Sequence, residues 1–159
     1  MIFASAGSQL PFPRLMRVVD QWAARNPETR VIAQVGLDEH DYPNCDVYHS
    51  ISPESYSATV LQAKVIVSHA GMGTVLTALQ HGTPAIIVPR RSDLREARSD
   101  HQNATAKWLR KAAHVAVADD AEVLIRMLDG WESIASGAKI SPHATPELIL
   151  AVQEFIMNS

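Results

Sequence analysis

The sequence predicts an α/β fold of the Rossmann-like type, a doubly wound parallel sheet with helices on both faces. Short β-branched runs alternate along the chain with amphipathic segments of helical period. Strands separated by helices of ten or more residues favour a parallel sheet, because parallel neighbours need a long crossover connection. Glycine-rich or small polar turns follow two of the runs, as they do in sheets that bind ligands at the carboxyl ends of their strands.

Length and composition are typical of one globular domain, which we expect to span residues 1–159. A chain of 159 residues buries about 70% of its unfolded surface and needs no disulfide to form a core. Hydrophobic residues make up 47% of the chain and charged residues 19%, which excludes a disordered or fibrous class. The net charge of −3 gives no electrostatic basis for binding nucleic acid.

Cysteine usage and hydropathy predict a cytoplasmic protein. Cys45 is the single cysteine, so the chain has no internal disulfide and no cysteine-based metal site. The first residues lack the basic and apolar regions of a signal peptide, and no window approaches about 20 apolar residues. We therefore expect a chain that does not span a membrane by itself.

The first half of the chain alternates between strands and helices. We place a strand at residues 2–6, a helix from about 14 to 25, strands at 30–35 and 46–51, and a helix that opens at 52–54. Asn26 and Pro27 end the first helix, because proline cannot continue it. Ser52 followed by Pro53 is typical of an N-cap with proline at the first helical position.

Residues 64–103 carry the clearest pattern. A strand at 64–68, a turn at 69–73, a helix at 74–81 and a strand at 85–88 follow one another, and a polar loop leads to the next helix. A glycine turn between a parallel strand and a helix N-terminus presents free backbone N–H groups and the positive end of a helix dipole, which favours a bound phosphate. The loop at 7–9 follows the first strand, so we expect both loops to face one crevice.

Further elements complete the chain. We place a helix from Asp100, its N-cap, to about 113, a strand at 114–118, a helix from 119–120, a loop with a partial helix at 130–141, and a helix from 145. The last helix is amphipathic. It either packs on the core of the domain or docks against another subunit, and the sequence leaves both interpretations open.

Two ordered motifs carry a resemblance to a known family. The segments His69-Ala70-Gly71 and Asp100-His101-Gln102-Asn103-Ala104 resemble the C-terminal, donor-binding half of GT-B glycosyltransferases of family 28. Ala6-Gly7-Ser8-Gln9 is similar to the start of the small subunits of two-chain members, which include dolichol-linked N-acetylglucosaminyltransferases and exopolysaccharide glycosyltransferases. The resemblance covers about residues 2–118 and implies one half of a GT-B fold.

The resemblance also implies roles for individual residues. The diphosphate of a nucleotide sugar would be bound by Gly7, Ser8, His69, Gly71, Met72, Gly73 and Thr74. The donor sugar would be bound by Asp100, His101 and Gln102, and we expect Gln102 to have no structural role. Thr77 stands where many relatives have a carboxylate that holds the ribose. Ribose recognition would then come from elsewhere, with Asp93 and Glu96 as candidates.

The polar loop after the strand at 85–88 is rich in arginine, and we expect it to lie over the crevice. Its basic residues are Arg90, Arg91, Arg95 and Arg98. Because arginine recognises carboxylates and phosphates in a bidentate manner, Arg95 and Arg98 are candidate contacts to the donor, including an acidic sugar such as glucuronate. Alternatively, the loop is solvated and its arginines pair with its own acidic residues.

We expect no metal and no cofactor, with a UDP-sugar as the substrate. Backbone donors and a helix dipole can stabilise a leaving diphosphate without metal. The histidines show no His-x-x-x-His spacing and the carboxylates no Asp-x-Asp spacing. The donor alone would therefore occupy the site.

A full GT-B enzyme has two Rossmann-like domains, and the chain has room for one. The resemblance therefore implies a separate, membrane-associated subunit that binds the acceptor, a polyprenyl-diphosphate-linked saccharide, at the inner face of the membrane. The catalytic base is expected on that subunit, so no catalytic residue is assigned here. The implied activity is hexosyl transfer from a UDP-sugar in exopolysaccharide biosynthesis, and the chain on its own is compatible with a homo-oligomer. The alternative is a non-catalytic nucleotide-binding regulatory module.

Overall fold

The structure is a computed structural model that describes residues 1–98, 101–110 and 115–134, without the side chains of His101 and Trp108. Its strands are β1 (Ile2–Ser5), β2 (Val31–Gln34), β3 (Asp46–Tyr48), β4 (Val65–His69), β5 (Ala85–Val88) and β6 (Val115–Val117). Its helices are α1 (Pro13–Arg25), α2 (Pro53–Gln62), α3 (Met72–His81), α4 (His101–Leu109) and α5 (Ala121–Asp129), followed by a 3-10 turn, Trp131–Ser133. The predicted N-cap Asp100 and the helix predicted from residue 145 lie outside the described residues.

The strands form one parallel sheet in the order β3-β2-β1-β4-β5-β6. This arrangement confirms the predicted doubly wound fold. The chain leaves β1 towards one edge of the sheet and returns to it at β4, so the strand order reverses between these two neighbours. Ligands in open parallel sheets bind outside the carboxyl ends of the strands at such a reversal.

Two apolar cores cover the two faces of the sheet. Ile2 and Ala4 of β1 point into the core beneath α1 and α5, whereas Phe3 points into the core beneath α2, α3 and α4. Successive side chains of a strand point to opposite faces, so a central strand with helices on both sides must be apolar at every position. The first three residues of β1 are fully buried for this reason.

Three helix ends carry capping contacts, and the one at Ser52 is the predicted N-cap. The Ser52 side chain accepts a hydrogen bond from Ser55 N at 3.3 Å, and the Asp120 side chain accepts one from Val123 N at 2.8 Å. Gly82 ends α3 in the left-handed conformation with φ 70°. These contacts hold the N-termini of α2 and α5 and the C-terminus of α3 in place.

Three predicted boundaries are wrong, and one of them is the end of α4, which lies at Leu109 instead of about residue 113. α3 begins at Met72, two residues before the expected start, so Gly71 is its N-cap and Gly73 lies in its first turn. The third strand ends at Tyr48, short of the predicted residue 51, and all of β3 is exposed at the edge of the sheet. An edge strand pairs on one side only. The alternating residue pattern in the sequence therefore does not show where its hydrogen-bonded ladder ends.

No helix in the described part of the chain is long and apolar enough to cross a membrane.

Candidate functional site

The loops after β1 and β4 meet at the reversal of strand order and border two cavities. A cavity of about 620 Å³ lies on the side of α2 and α3 and is lined by Gly7, Ser8, Gly73 and Thr74, among others. A second cavity of about 240 Å³ is lined by Gly7 and Ser8 together with His69, Arg90 and Gln102. Because the β1 loop lines both cavities, they are neighbours. The structure thus brings together residues that lie far apart in the sequence.

The imidazole of His69 is wedged between two glycines. A Cβ atom on Gly7 would lie 3.0 Å from His69 Cε1, and one on Gly71 would overlap the His69 ring. Gly7 also has a φ of +88°, which side chains other than glycine rarely adopt. Both glycines are therefore required by the packing of this ring, whatever they contact in a ligand.

His69 is electrically neutral near pH 7. Burial, and then the positive charge of Arg90, lower the pKa of His69 below its ordinary value. A neutral imidazole donates one hydrogen bond and accepts another. The ring can therefore orient a phosphate or sugar oxygen as a hydrogen-bond donor, while Arg90 supplies the positive charge.

Arg90 is buried, so the alternative interpretation of a solvated loop does not apply to this arginine. Its side chain is 2% exposed. The guanidinium donates to the carbonyl oxygens of Ala6 at 2.9 Å, Leu10 at 2.7 Å, Pro11 at 2.6 Å and Glu96 at 3.2 Å. Its carbon lies 4.4 Å from the centre of the Phe12 ring. Arg90 thus ties the β1 loop to the end of β5 and keeps a buried charge beside the smaller cavity.

The other predicted arginines behave as residues of a solvated loop. Arg91 pairs with Asp93, and Arg95 and Arg98 are exposed and lie outside the lining of both cavities. The Glu96 carboxylate accepts two hydrogen bonds from Arg14, at 2.7 and 2.8 Å. Both candidate ribose ligands are therefore engaged in ion pairs in this structure.

Gln102 has a structural contact, so the expectation that it has none is wrong. Its Oε1 accepts a hydrogen bond from Arg90 N at 3.0 Å, and the residue is 8% exposed. This contact fixes the orientation of the amide, and the –NH₂ group takes no part in it. Since Gln102 lines the smaller cavity, the –NH₂ group is the one suited to contact a sugar hydroxyl. Asp100 lies outside the described residues.

The N-terminus of α3 presents free backbone donors. Gly71 N donates to His69 O at 2.8 Å, and Val75 N donates to Gly71 O at 3.2 Å. Helix geometry leaves the N–H groups of Met72, Gly73 and Thr74 without an intrahelical acceptor. A Cβ atom on Gly73 would meet nothing within 4 Å. Gly73 and Thr74 line the larger cavity, which therefore lies at the positive end of the α3 dipole.

Thr74 and Thr77 use their hydroxyl groups within the protein. Thr74 Oγ1 lies 2.8 Å from Tyr56 Oη, and Thr77 Oγ1 donates to Gly73 O at 2.8 Å. Thr77 lines the larger cavity and offers a single oxygen, whereas a carboxylate offers two oxygens to the two hydroxyls of a ribose.

No group of three or more His, Cys, Asp or Glu residues within the described ranges is placed to hold a metal ion. The fold is an α/β domain of the Rossmann-like class, with its cavities at the reversal of strand order, where ligands of such sheets bind. The chain belongs to the glycosyltransferase family 28 C-terminal domain family, whose model matches residues 1–131. This finding confirms the resemblance carried by the two motifs.

Similar proteins agree with this assignment. The UDP-N-acetylglucosamine transferase subunit ALG13 of two Cryptococcus neoformans var. neoformans serotype D strains is 29% identical over 105 residues, which cover 65% of this chain and 50% of those proteins. The chain therefore spans about half the length of the curated relatives it matches.

Two solved structures share the fold. Acinetobacter baumannii MurG matches all of this chain and 50% of its own, with a TM-score of 0.66 and 20% identity. The solution structure of ALG13 matches 95% of this chain and 93% of its own, with a TM-score of 0.59 and 18% identity. At these identities the likeness concerns the fold, and it confirms the expected half of a GT-B architecture.

Proposed function

We propose that this chain is the donor-binding subunit of a glycosyltransferase that moves a hexose from a UDP-sugar to a polyprenyl-diphosphate-linked saccharide in polysaccharide biosynthesis. Membership of the family supports sugar transfer, and the similarity to proteins named as UDP-N-acetylglucosamine transferase subunits supports a UDP-sugar as the donor. The observation that carries the proposal is the adjacency of two cavities that share Gly7 and Ser8: the start of α3 lines the larger cavity, and His69 and Gln102 line the smaller one.

The crevice has the chemistry needed to stabilise a leaving group. When the bond between the anomeric carbon and the diphosphate breaks, negative charge grows on the phosphate oxygens. Preorganised backbone donors and a helix dipole stabilise such charge more strongly in the transition state than in the bound donor. The N–H groups of Met72, Gly73 and Thr74, at the start of α3, would serve this task, and Arg90, which lines the smaller cavity, would add positive potential.

The sugar moiety would lie beside α4. Gln102 would donate its –NH₂ group to a sugar hydroxyl, and neutral His69 would donate one hydrogen bond to the donor. Gly7 and Ser8 line both cavities, so they would contact the diphosphate between its nucleoside and its sugar. Asp100, His101, Arg95 and Arg98 remain predicted contacts.

The acceptor and the catalytic base would belong to a second, membrane-associated subunit. Two observations support this part of the proposal: the curated relatives are named as subunits, and the fold matches half of the length of MurG. The chain would then act at the cytoplasmic face of the membrane through its partner, with no metal.

Reconstitution tests the proposal. Membranes from a strain that lacks this chain would supply the partner and the lipid acceptor, and transfer of labelled sugar from UDP-sugars into the lipid fraction would be measured. We expect transfer only when purified chain and membranes are combined. Full transfer by the chain alone to a soluble acceptor would contradict the two-subunit proposal.

A variant separates the enzyme from a regulatory module. Gln102→Glu keeps an oxygen that can accept from Arg90 N and removes the –NH₂ donor, so transfer should fall about tenfold or more. Gln21→Glu, at an exposed position of α1, serves as the matched control. If Gln102→Glu restored transfer as fully as the native chain, the site would not hold the donor sugar.

A further inference from the structure

A row of polar side chains crosses the carboxyl end of an otherwise apolar sheet. Gln34 of β2, Ser5 of β1 and Ser68 of β4 are in register on adjacent strands. In-register residues of parallel strands point to the same face. Their relative exposures are 4% for Gln34 and 0% for the two serines, so the sheet buries three polar groups where hydrophobic residues would pack at lower cost.

The two serines are satisfied by hydrogen bonds, whereas Gln34 is not. Ser68 Oγ donates to Ser5 O at 3.0 Å, and Ser5 Oγ accepts from Gly7 N at 3.2 Å. Gln34 Oε1 is buried without a hydrogen-bond partner among the described residues, the one such side-chain atom in that part of the chain. A buried polar atom without a partner in the protein costs folding free energy, and its lone pairs are available to a water molecule or a ligand.

Gln34 lines the larger cavity, at the side away from the sugar-binding groups. The cavity extends from Gly73 and Thr74, at the start of α3, to Ile51 and Tyr56, around the start of α2. Its volume of about 620 Å³ is in the usual range for a site that encloses a small molecule, roughly 300 to 1,000 Å³. With the diphosphate at the start of α3, this cavity has room for the nucleoside.

The carboxamide of Gln34 is free to adapt to a ligand. Its oxygen has no protein partner to hold it, and the terminal torsion of glutamine has a broad energy profile. The group can therefore turn to present its oxygen or its –NH₂ group to the cavity. Thr77 stands at the position where many relatives have a carboxylate that holds the ribose. Its hydroxyl already donates a hydrogen bond to Gly73 O.

We propose that Gln34 is a nucleoside-binding residue, whose carboxamide hydrogen-bonds the base or the ribose of the donor from the floor of the larger cavity. The inference rests on the proposed function and deepens it, because it assigns a contact that determines which nucleotide is accepted. The unpaired carboxamide weakens the unliganded fold and becomes satisfied when the nucleoside binds.

Calorimetry and thermal unfolding of the full chain test this inference together. Gln34→Met keeps the length of the side chain and removes its polar group, and Gln21→Met is the matched exposed control. We expect Gln34→Met to weaken UDP binding about five- to tenfold, with binding of inorganic pyrophosphate unchanged. We also expect the Tm of the unliganded variant to rise by about 2 to 4 °C, since an unpaired buried group has been removed. The control should change neither quantity.

The ligands used distinguish the possible outcomes. If the contact is to the 2′-hydroxyl, 2′-deoxy-UDP will bind the native chain as weakly as UDP binds Gln34→Met; if it is to the base, the variant will lose affinity for both nucleotides. Unchanged UDP binding by Gln34→Met would overturn this inference and leave the proposed function standing. Failure of the native chain to bind either UDP or pyrophosphate would overturn both.

Discussion

At the scale of single residues, two glycines of the site differ in what surrounds them. Gly71 is packed against the His69 ring, whereas Gly73 faces open space at the first turn of α3. A methyl group at the first position must displace the partly buried ring of His69. A methyl group at the second position would occupy the space in which we place the diphosphate.

We predict opposite effects for the two alanine substitutions. Gly73→Ala should leave the free energy of unfolding unchanged or slightly raised, because alanine suits a helix better than glycine, and should weaken UDP binding about tenfold or more through steric exclusion of the diphosphate. Gly71→Ala should lower the free energy of unfolding by about 1–3 kcal/mol through overpacking. Urea unfolding and calorimetry give both quantities, and equal UDP affinity in Gly73→Ala would show that the donor lies elsewhere.

His69 predicts a pH dependence of stability. Its folded pKa lies below the unfolded value of about 6.5, so the unfolded state binds the proton more readily. The contribution of His69 is fully present above the unfolded pKa and is lost as pH falls towards the folded pKa. Urea unfolding at pH 7.5 and 5.5 should therefore show a larger loss of stability for the native chain than for His69→Gln. An equal loss in both would mean that His69 does not titrate in this window.

At the scale of elements, Arg90 joins the β1 loop to the end of β5. Its donors reach carbonyl groups about eighty positions earlier in the chain, and these carbonyls belong to the loop that borders both cavities. The geometry of this loop therefore depends on the side chain of Arg90, which follows β5 on the other side of the strand-order reversal.

Loss of this contact should be costly. Arg90→Lys cannot reproduce the planar fork of donors, and several buried carbonyls would be left unpaired, so we expect the free energy of unfolding to fall by about 2–4 kcal/mol. Arg91→Lys, which alters an exposed ion pair, should change stability by less than about 0.5 kcal/mol. Urea unfolding measures both changes. Equal stabilities of the two variants would contradict the role assigned to Arg90.

The region from β4 to Arg90 shows where prediction from the sequence succeeds and where it fails. β4, α3 and the Gly82 cap follow from a local pattern of branched, periodic and glycine residues, so they could be predicted. The burial of Arg90 could not, because its acceptors come from a distant loop and a charged residue after a strand normally favours solvent. The unpaired oxygen of Gln34 and the hydrogen bond to the Gln102 oxygen could not be predicted for the same reason, since each depends on neighbours that only the folded sheet supplies.

At the scale of the whole molecule, the two neighbouring cavities lie at one reversal of strand order. The β1 loop, the start of α3 and the start of α4 approach each other only because β1 and β4 are neighbours in the sheet. We therefore infer that the amides at the start of α3 bind the donor diphosphate and that Gln102 binds the sugar beyond it.

Titration of the ¹⁵N-labelled chain with UDP and with a UDP-sugar, followed by amide NMR spectra, tests this claim most directly. We predict that both ligands shift the backbone amides of Met72, Gly73 and Thr74 most strongly, and that the Gln102 side-chain –NH₂ signals shift further with the UDP-sugar than with UDP. Shifts confined to another face of the sheet, or an unchanged Gln102 signal with every UDP-sugar that binds, would contradict it.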